Sequence, residues 1–253
     1  MMVPKKEQDE KSAHLDPNHG YHILVDAVKL NEFGGEIKLR SSLESEMRKK
    51  GIPIVVLVLG GGRNTVVTVL EQVKNNIPCV FFYDTGKFST VFAFIQNRID
   101  KNEEIFKQTS KNDSRLYFED EFRELIKEKI IYEMKKENVK THFQAKDEII
   151  NPILNNIEEI FQLKYQHLLS FFKLKTNEIK NSVDVAILNA LLKSFKKKRS
   201  LHKLVSVDQL TQEQKLEEQK NFRNQIELCL KWNRFDLAKN YIFLDQNRDK
   251  VKI

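Results

Sequence analysis

Apolar residues along this chain change their rhythm near residue 100. Before it they fall into two short continuous runs, residues 53–59 (PIVVLVL) and 78–83 (PCVFFY). Neither run has a polar position on either face, which predicts strands covered on both sides, as in a parallel sheet. Between them Val66, Val69, Leu70 and Val73 recur at helical spacing over residues 64–74. Strand, helix and strand of these lengths form a βαβ unit, whose crossover is expected to be right-handed. A helix over 35–50 comes before the unit. Leu39, Leu43 and Met47 make its apolar stripe, Glu44 and Arg48 are spaced to pair, and Gly51 ends it. Ile23-Leu24-Val25 is one more short strand candidate, and residues 88–98 read as another helix.

From about residue 117 onward the periodicity is helical. Phe118, Phe122, Ile126, Ile130 and Met134 step by four. Ile153, Ile157 and Phe161, then Leu168 and Phe172, give a second helix. Ile187, Leu191 and Phe195 give a third, with Asp184 placed to stabilise its start. Residues 212–231 give a fourth, and 236–243 a short fifth. All eight glycines precede residue 100, and only Pro152 follows it. The predicted organisation is a flexible polar lead (1–18), an α/β part (19–100) and an α-helical extension (101–253) that stacks like a solenoid.

Composition narrows the class. The chain of 253 residues is 40% hydrophobic, and no apolar run approaches the roughly 20 residues that cross a bilayer. The polar start lacks the apolar middle of a signal peptide. Cys79 and Cys229 both sit in apolar patterns, as expected of buried free thiols in a reducing compartment. Net charge is +7, but Lys and Arg are interspersed with Asp and Glu. The exception is Lys196-Lys197-Lys198-Arg199, which reads as an exposed loop or a contact for an acidic partner or lipid headgroup. No nucleic-acid motif accompanies the charge.

The main candidate for chemistry is Gly60-Gly61-Gly62 at the end of a buried strand. Glycines let backbone approach a phosphate closely, and the next helix aims its unpaired N–H groups and positive dipole end at the same point. Thr65 adds a hydroxyl in the first turn. Gly86 ends the neighbouring strand and belongs on the same sheet edge, where parallel sheets bind ligands. Lys87 would stand beside that site and Arg40 could supply a second cation. A tight turn with no ligand accounts for the glycines equally well, and the spacing matches neither the dinucleotide fingerprint nor the P-loop. His14, His19 and His22 lie close in sequence but fit no zinc spacing. The adjacent pairs Glu103-Glu104 and Glu158-Glu159 diverge around their helices and read as solvated faces. Trp232, after an apolar helix, reads as a packing residue.

Several stretches resemble the melastatin-type transient receptor potential cation channels. These are Leu15-Asp16-Pro17-Asn18-His19, Gly35-Glu36-Ile37-Lys38-Leu39-Arg40 with Leu43-Glu44, the strand at 53–59 with Gly61-Gly62 and Thr65, and the strand at 78–83 with Gly86. Residues 184–193 (DVAILNALLK) and 230–239 (LKWNRFDLAK) with Ile242-Phe243 are similar to helices of that family. The elements follow the family's order over nearly all of 15–245. The resemblance implies a Rossmann-like SLOG domain passing into an all-α, ankyrin-like repeat region. Both would lie in the cytosol beneath a tetrameric, calcium-permeable channel, and neither would be an enzyme. Other channel subunits are the expected partners, with neither nucleic acid nor a membrane span in this chain. It implies no metal or bound cofactor, but it does imply a cleft for ADP-ribose or a related nucleotide, with Arg40, Gly61, Gly62, Thr65, Gly86 and Lys87 as its residues. Lys87 stands where the family has arginine, keeping the charge but losing the bidentate fork. Arg63 replaces a proline or small residue. The sheet is expected to be incomplete on its N-terminal side. A second kinship of the fold is to nucleotide phosphoribohydrolases once described as lysine decarboxylases. Their glutamate falls at Thr68 here, and a hydroxyl cannot replace a carboxylate as base.

Overall fold

A computed structural model describes residues 15–26, 34–101, 104–107, 115–135, 147–174, 182–195 and 212–242. The centre is a parallel sheet of three strands, β1 (Val56–Leu59), β2 (Cys79–Phe82) and β5 (Leu169–Phe172), in the order β1-β2-β5. Val58 pairs with Phe81, and Phe81 with Phe171. A two-stranded antiparallel ribbon, β3 (Phe106–Lys107) with β4 (Tyr117–Phe118), lies apart from it. With helices on both faces of the parallel sheet, the arrangement is α/β and Rossmann-like.

The helices before residue 101 fall where the periodicity places them. They are α1 (Ile37–Lys49), α2 (Arg63–Lys74) and α3 (Lys87–Asp100). The stripe of α2 is fully realised, with Val66, Val69, Leu70 and Val73 all buried. With α4 (Asp120–Lys135) and α5 (Asp147–Ile160), α2 and α3 bury one face of the sheet. Aromatic rings hold that core. Phe81 stacks on Phe92 at 4.7 Å and on Phe171 at 5.0 Å, and Phe92 on Phe161 at 5.8 Å. On the other face Val80 and Phe82 meet Ala190 of α6 (Val183–Ser194). A separate helical core joins α6 to α7 (Gln212–Lys231) and α8 (Phe235–Tyr241) through Leu188, Leu192, Leu228, Cys229 and Leu237. Arg234 ties this end together. Its fork grips Asp236 at 2.7 and 2.9 Å, and it reaches Asp184 of α6 at 3.0 Å. Both cysteines are buried free thiols.

Five expectations change. Leu168 and Phe172 do not extend a helix: the chain turns after α5 and residues 169–172 join the sheet beside β2. The α/β layer therefore draws a strand from the span that the composition assigns to helices. Phe118 likewise sits in β4 rather than at the head of α4. Glu158 is not a solvated face. It is buried, accepts from the Phe118 N–H at 3.2 Å and pairs with Arg123 at 2.7 Å. Finally, β2 is buried along its whole length, but β1 is not, since Leu57 and Leu59 are exposed. The reason is position: β1 has a strand neighbour on one side only among the described residues. Ile23-Leu24-Val25, the other strand candidate, is irregular and exposed here. The run at 196–199 and His14 lie outside the described residues.

Candidate functional site

The strand-to-helix turn after β1 is built by glycine conformations. Gly60 and Gly61 have φ of +64° and +91°. At Gly61 space is also decisive, because a Cβ would lie 2.7 Å from the Thr65 side chain. Gly62 then caps α2, and the Thr65 N–H donates to its carbonyl at 2.9 Å. Gly62 offers no side chain to cap this helix.

The neighbouring loop is stitched to this one. The Gly60 N–H donates to Thr85 Oγ1 at 2.7 Å, and the Ser89 N–H donates to the Gly60 carbonyl at 2.9 Å. The Ser89 hydroxyl sits 3.0 Å from the Val58 carbonyl oxygen. Gly86, at φ +84°, caps α3, and Lys87 follows at φ +53°. The Lys87 side chain runs past the turn, its Cδ 3.7 Å from where a Gly60 Cβ would stand. The two loops therefore share the C-terminal edge of the sheet, as the parallel pairing requires.

A groove of about 380 Å³ opens beside β1. Arg40, Gly61 and Thr65 line it, together with Glu44, Thr68 and Gln72. Arg40 is oriented by its neighbours. Its Nη2 donates to Thr68 Oγ1 at 3.1 Å, and its Nε lies 3.9 Å from Glu44. The Gln72 amide donates to the same Glu44 carboxylate. Gly62 adjoins the groove as the cap of α2, while Gly86 and Lys87 lie on the adjacent loop rather than in its lining.

Sequence reasoning missed Glu133. This buried carboxylate, from the end of α4, accepts the Lys87 N–H at 3.2 Å and pairs with Lys129 at 3.1 Å. The N-terminus of α3 is thus already met by an anion of the chain itself. Its only sequence signal is the i,i+4 spacing from Lys129, which says nothing about α3. Thr85 and Ser89 were missed as well, although both follow directly from Thr or Ser placed at a loop that must bond its neighbour.

Other candidates come to rest elsewhere. Thr68 accepts from Arg40 and offers no carboxylate at the groove. His19 pairs with Asp16 at 3.1 Å, and no cluster of His, Cys, Asp and Glu able to hold a metal occurs among the described residues. Trp232 sits half-exposed in the turn after α7. Among the described residues no helix is long and apolar enough to cross a membrane.

Comparison with known proteins agrees with this geometry. The family described as SLOG in TRPM matches residues 1–140. The "transient receptor potential cation channel subfamily M member-like 2" of Nematostella vectensis is 30% identical over 249 residues, 94% of this chain and 13% of that protein. Subfamily M member 2 of Mus musculus is 29% identical, covering 92% of this chain and 13% of its own length. Subfamily M member 7 of Homo sapiens is 27% identical, over 91% of this chain and 10% of its own length. The chain thus spans about an eighth of the length of the first two relatives. A parallel sheet with a glycine turn, matched over more than half the chain by one family, shows that the chain belongs to the SLOG family of the melastatin-type TRP channels.

Proposed function

We propose that the chain works as a cytosolic regulatory and assembly segment of a melastatin-type, calcium-permeable cation channel, and that its sheet edge takes a nucleotide of the ADP-ribose kind. The observation that carries the ligand reading is the meeting of Arg40, Gly61 and Thr65 in one groove at the uncapped start of α2. A phosphate seated there would gain the helix N–H groups and the Arg40 fork together. Lys87 adds positive charge from the adjoining loop. The helices α6 to α8, with their own core, supply the start of the ankyrin-like stack and the surface for contact with other subunits of a tetramer. The cation would pass through membrane parts of the channel and never touch these residues. Thr68, at the place where the phosphoribohydrolases carry their glutamate, is held by Arg40 and offers no carboxylate.

The test is a thermal-shift titration with ADP-ribose on the wild type and on Arg40→Ala. A ligand at a hundred times its Kd stabilises by about 2.7 kcal/mol, which raises Tm by roughly 5–10 °C in a chain of this size. Arg40→Ala should weaken the response at least about tenfold in concentration, the loss of one charge-assisted contact. No shift at millimolar ligand, or an unchanged titration in Arg40→Ala, overturns the reading.

A further inference from the structure

The side of β1 turned away from β2 is built to receive a strand. The Val56 N–H donates to the Pro78 carbonyl on the β2 side at 2.9 Å. Backbone groups alternate sides along a strand, so those of Val55 and Leu57 point the other way. No strand pairs with them among the described residues. The groove beside them runs along residues 55–59, with α2 as its floor and α1 as its wall. Inside it lies an independent sign of a missing partner. Gln72 is 1% exposed, and its Oε1 is buried with no hydrogen-bond partner among the described residues. A buried amide oxygen left without a donor is costly, and an incoming backbone N–H would satisfy it.

The same chain carries a matching strand. Tyr21-His22-Ile23-Leu24-Val25 is rich in β-formers, and Ile23 and Leu24 are 71% and 79% exposed. Five residues match the five at 55–59 that line the groove. From Val25 to Gly34 nine residues reach at most about 30 Å, ample for a crossover connection. The topology also fits. A strand at 21–25, then α1, then β1 is a βαβ unit, and a right-handed crossover puts the new strand parallel to β1 with α1 on the same face as α2. α1 does pack on α2, through Asn75 to Ser41 and Gln72 to Glu44. Leu43 and Met47, exposed now, follow next around α1 from the groove-lining Arg40 and Glu44.

We infer that residues 21–25 dock into this groove as a fourth parallel strand on β1, so that the structure holds the undocked form of a segment with a built seat. Docking covers the open edge and gives Gln72 Oε1 a donor. The occupant is the chain's own segment because it is tethered through α1 to the seat itself.

The test is residue-resolved amide hydrogen exchange on the 253-residue chain. Docking protects the Leu57 amide, together with amides of 23–25, at least about tenfold beyond its intrinsic rate. Leu24→Pro removes that protection and leaves the Val58 amide, which faces β2, unchanged. An unprotected Leu57 amide in the wild type, or one equally protected in Leu24→Pro, overturns the inference. Protection that appears only where sedimentation shows a dimer overturns docking within one chain. If Leu24→Pro disturbs Val58 too, a nitroxide on Tyr21→Cys decides instead. Broadening of the Leu57 and Thr68 amide signals supports docking, and unbroadened signals refute it.

Discussion

Gly61→Ala isolates the demand that the β1–α2 turn makes on its sequence. Gly61 sits at φ +91°, and a Cβ there would approach Thr65 Oγ1 and Cγ2 to 2.7 Å and Thr65 Cβ to 2.9 Å. Rotating Thr65 cannot clear the overlap, because its Cβ is itself too near and it is branched there. Backbone must move, at a cost of about 1–3 kcal/mol. The positive φ adds about 1–2 kcal/mol for any L side chain. Gly51, at φ +85° with nothing within 4 Å of an added Cβ, carries only the second cost. Calorimetry on both variants separates the two effects. At 2–4 °C per kcal/mol, Gly51→Ala lowers Tm by roughly 2–8 °C and Gly61→Ala, which carries both costs, by roughly 4–20 °C. Adding Thr65→Ala to Gly61→Ala recovers part of the difference, since the γ atoms go and the Cβ stays. Equal Tm losses at the two glycines, or strictly additive effects of Gly61→Ala and Thr65→Ala, would refute the close-approach reasoning.

Three further outcomes follow from the same coordinates. Phe81→Ala empties the middle of the ring stack and costs about 3–5 kcal/mol, read as a fall in the urea midpoint with an unchanged slope. Glu133→Gln removes the negative charge at the start of α3, so ADP-ribose affinity rises several-fold, about 1 kcal/mol, in low-salt calorimetric titration. Hydrogen bonds from Arg234 hold the Asp236 carboxyl down at about 2, below its ordinary 3.8. A depressed acid stabilises above its unfolded value and loses that contribution as pH falls toward its folded one. The Tm gap between wild type and Asp236→Asn therefore holds from pH 7 to 5 and closes between about pH 4 and 2.

The helices and strands between residues 37 and 100 were legible because each element there carries its own signal. A run such as 78–83 has no polar face to misread, and the α2 stripe has one period only. Beyond residue 100 the same rules misplace β5. Its residues, Leu-Ser-Phe-Phe, are too few to show a period of two, and Leu168 and Phe172 happen to stand four apart after a genuine helical stripe. What makes them a strand is the unpaired side of β2, fully buried and apolar, which lies some ninety residues away in sequence. Long-range pairing of that kind leaves no local trace.

The candidate site divides along the same line. Gly61 and Thr65 could be read from sequence because a turn and its helix are contiguous, and the structure joins Arg40 to them through a helix one element upstream. Glu133 could not, since its importance lies in where α4 ends relative to α3. That carboxylate changes how the edge reads. Two helix starts face it: the one at Lys87 is met by Glu133, and the one at Gly62 has no side-chain cap among the described residues. On the proposed reading, a ligand phosphate would find its strongest seat at α2. Lys87 would then act by charge from the side, its backbone N–H already engaged by Glu133, so replacing it by Arg should shift affinity far less than replacing Arg40 by Lys.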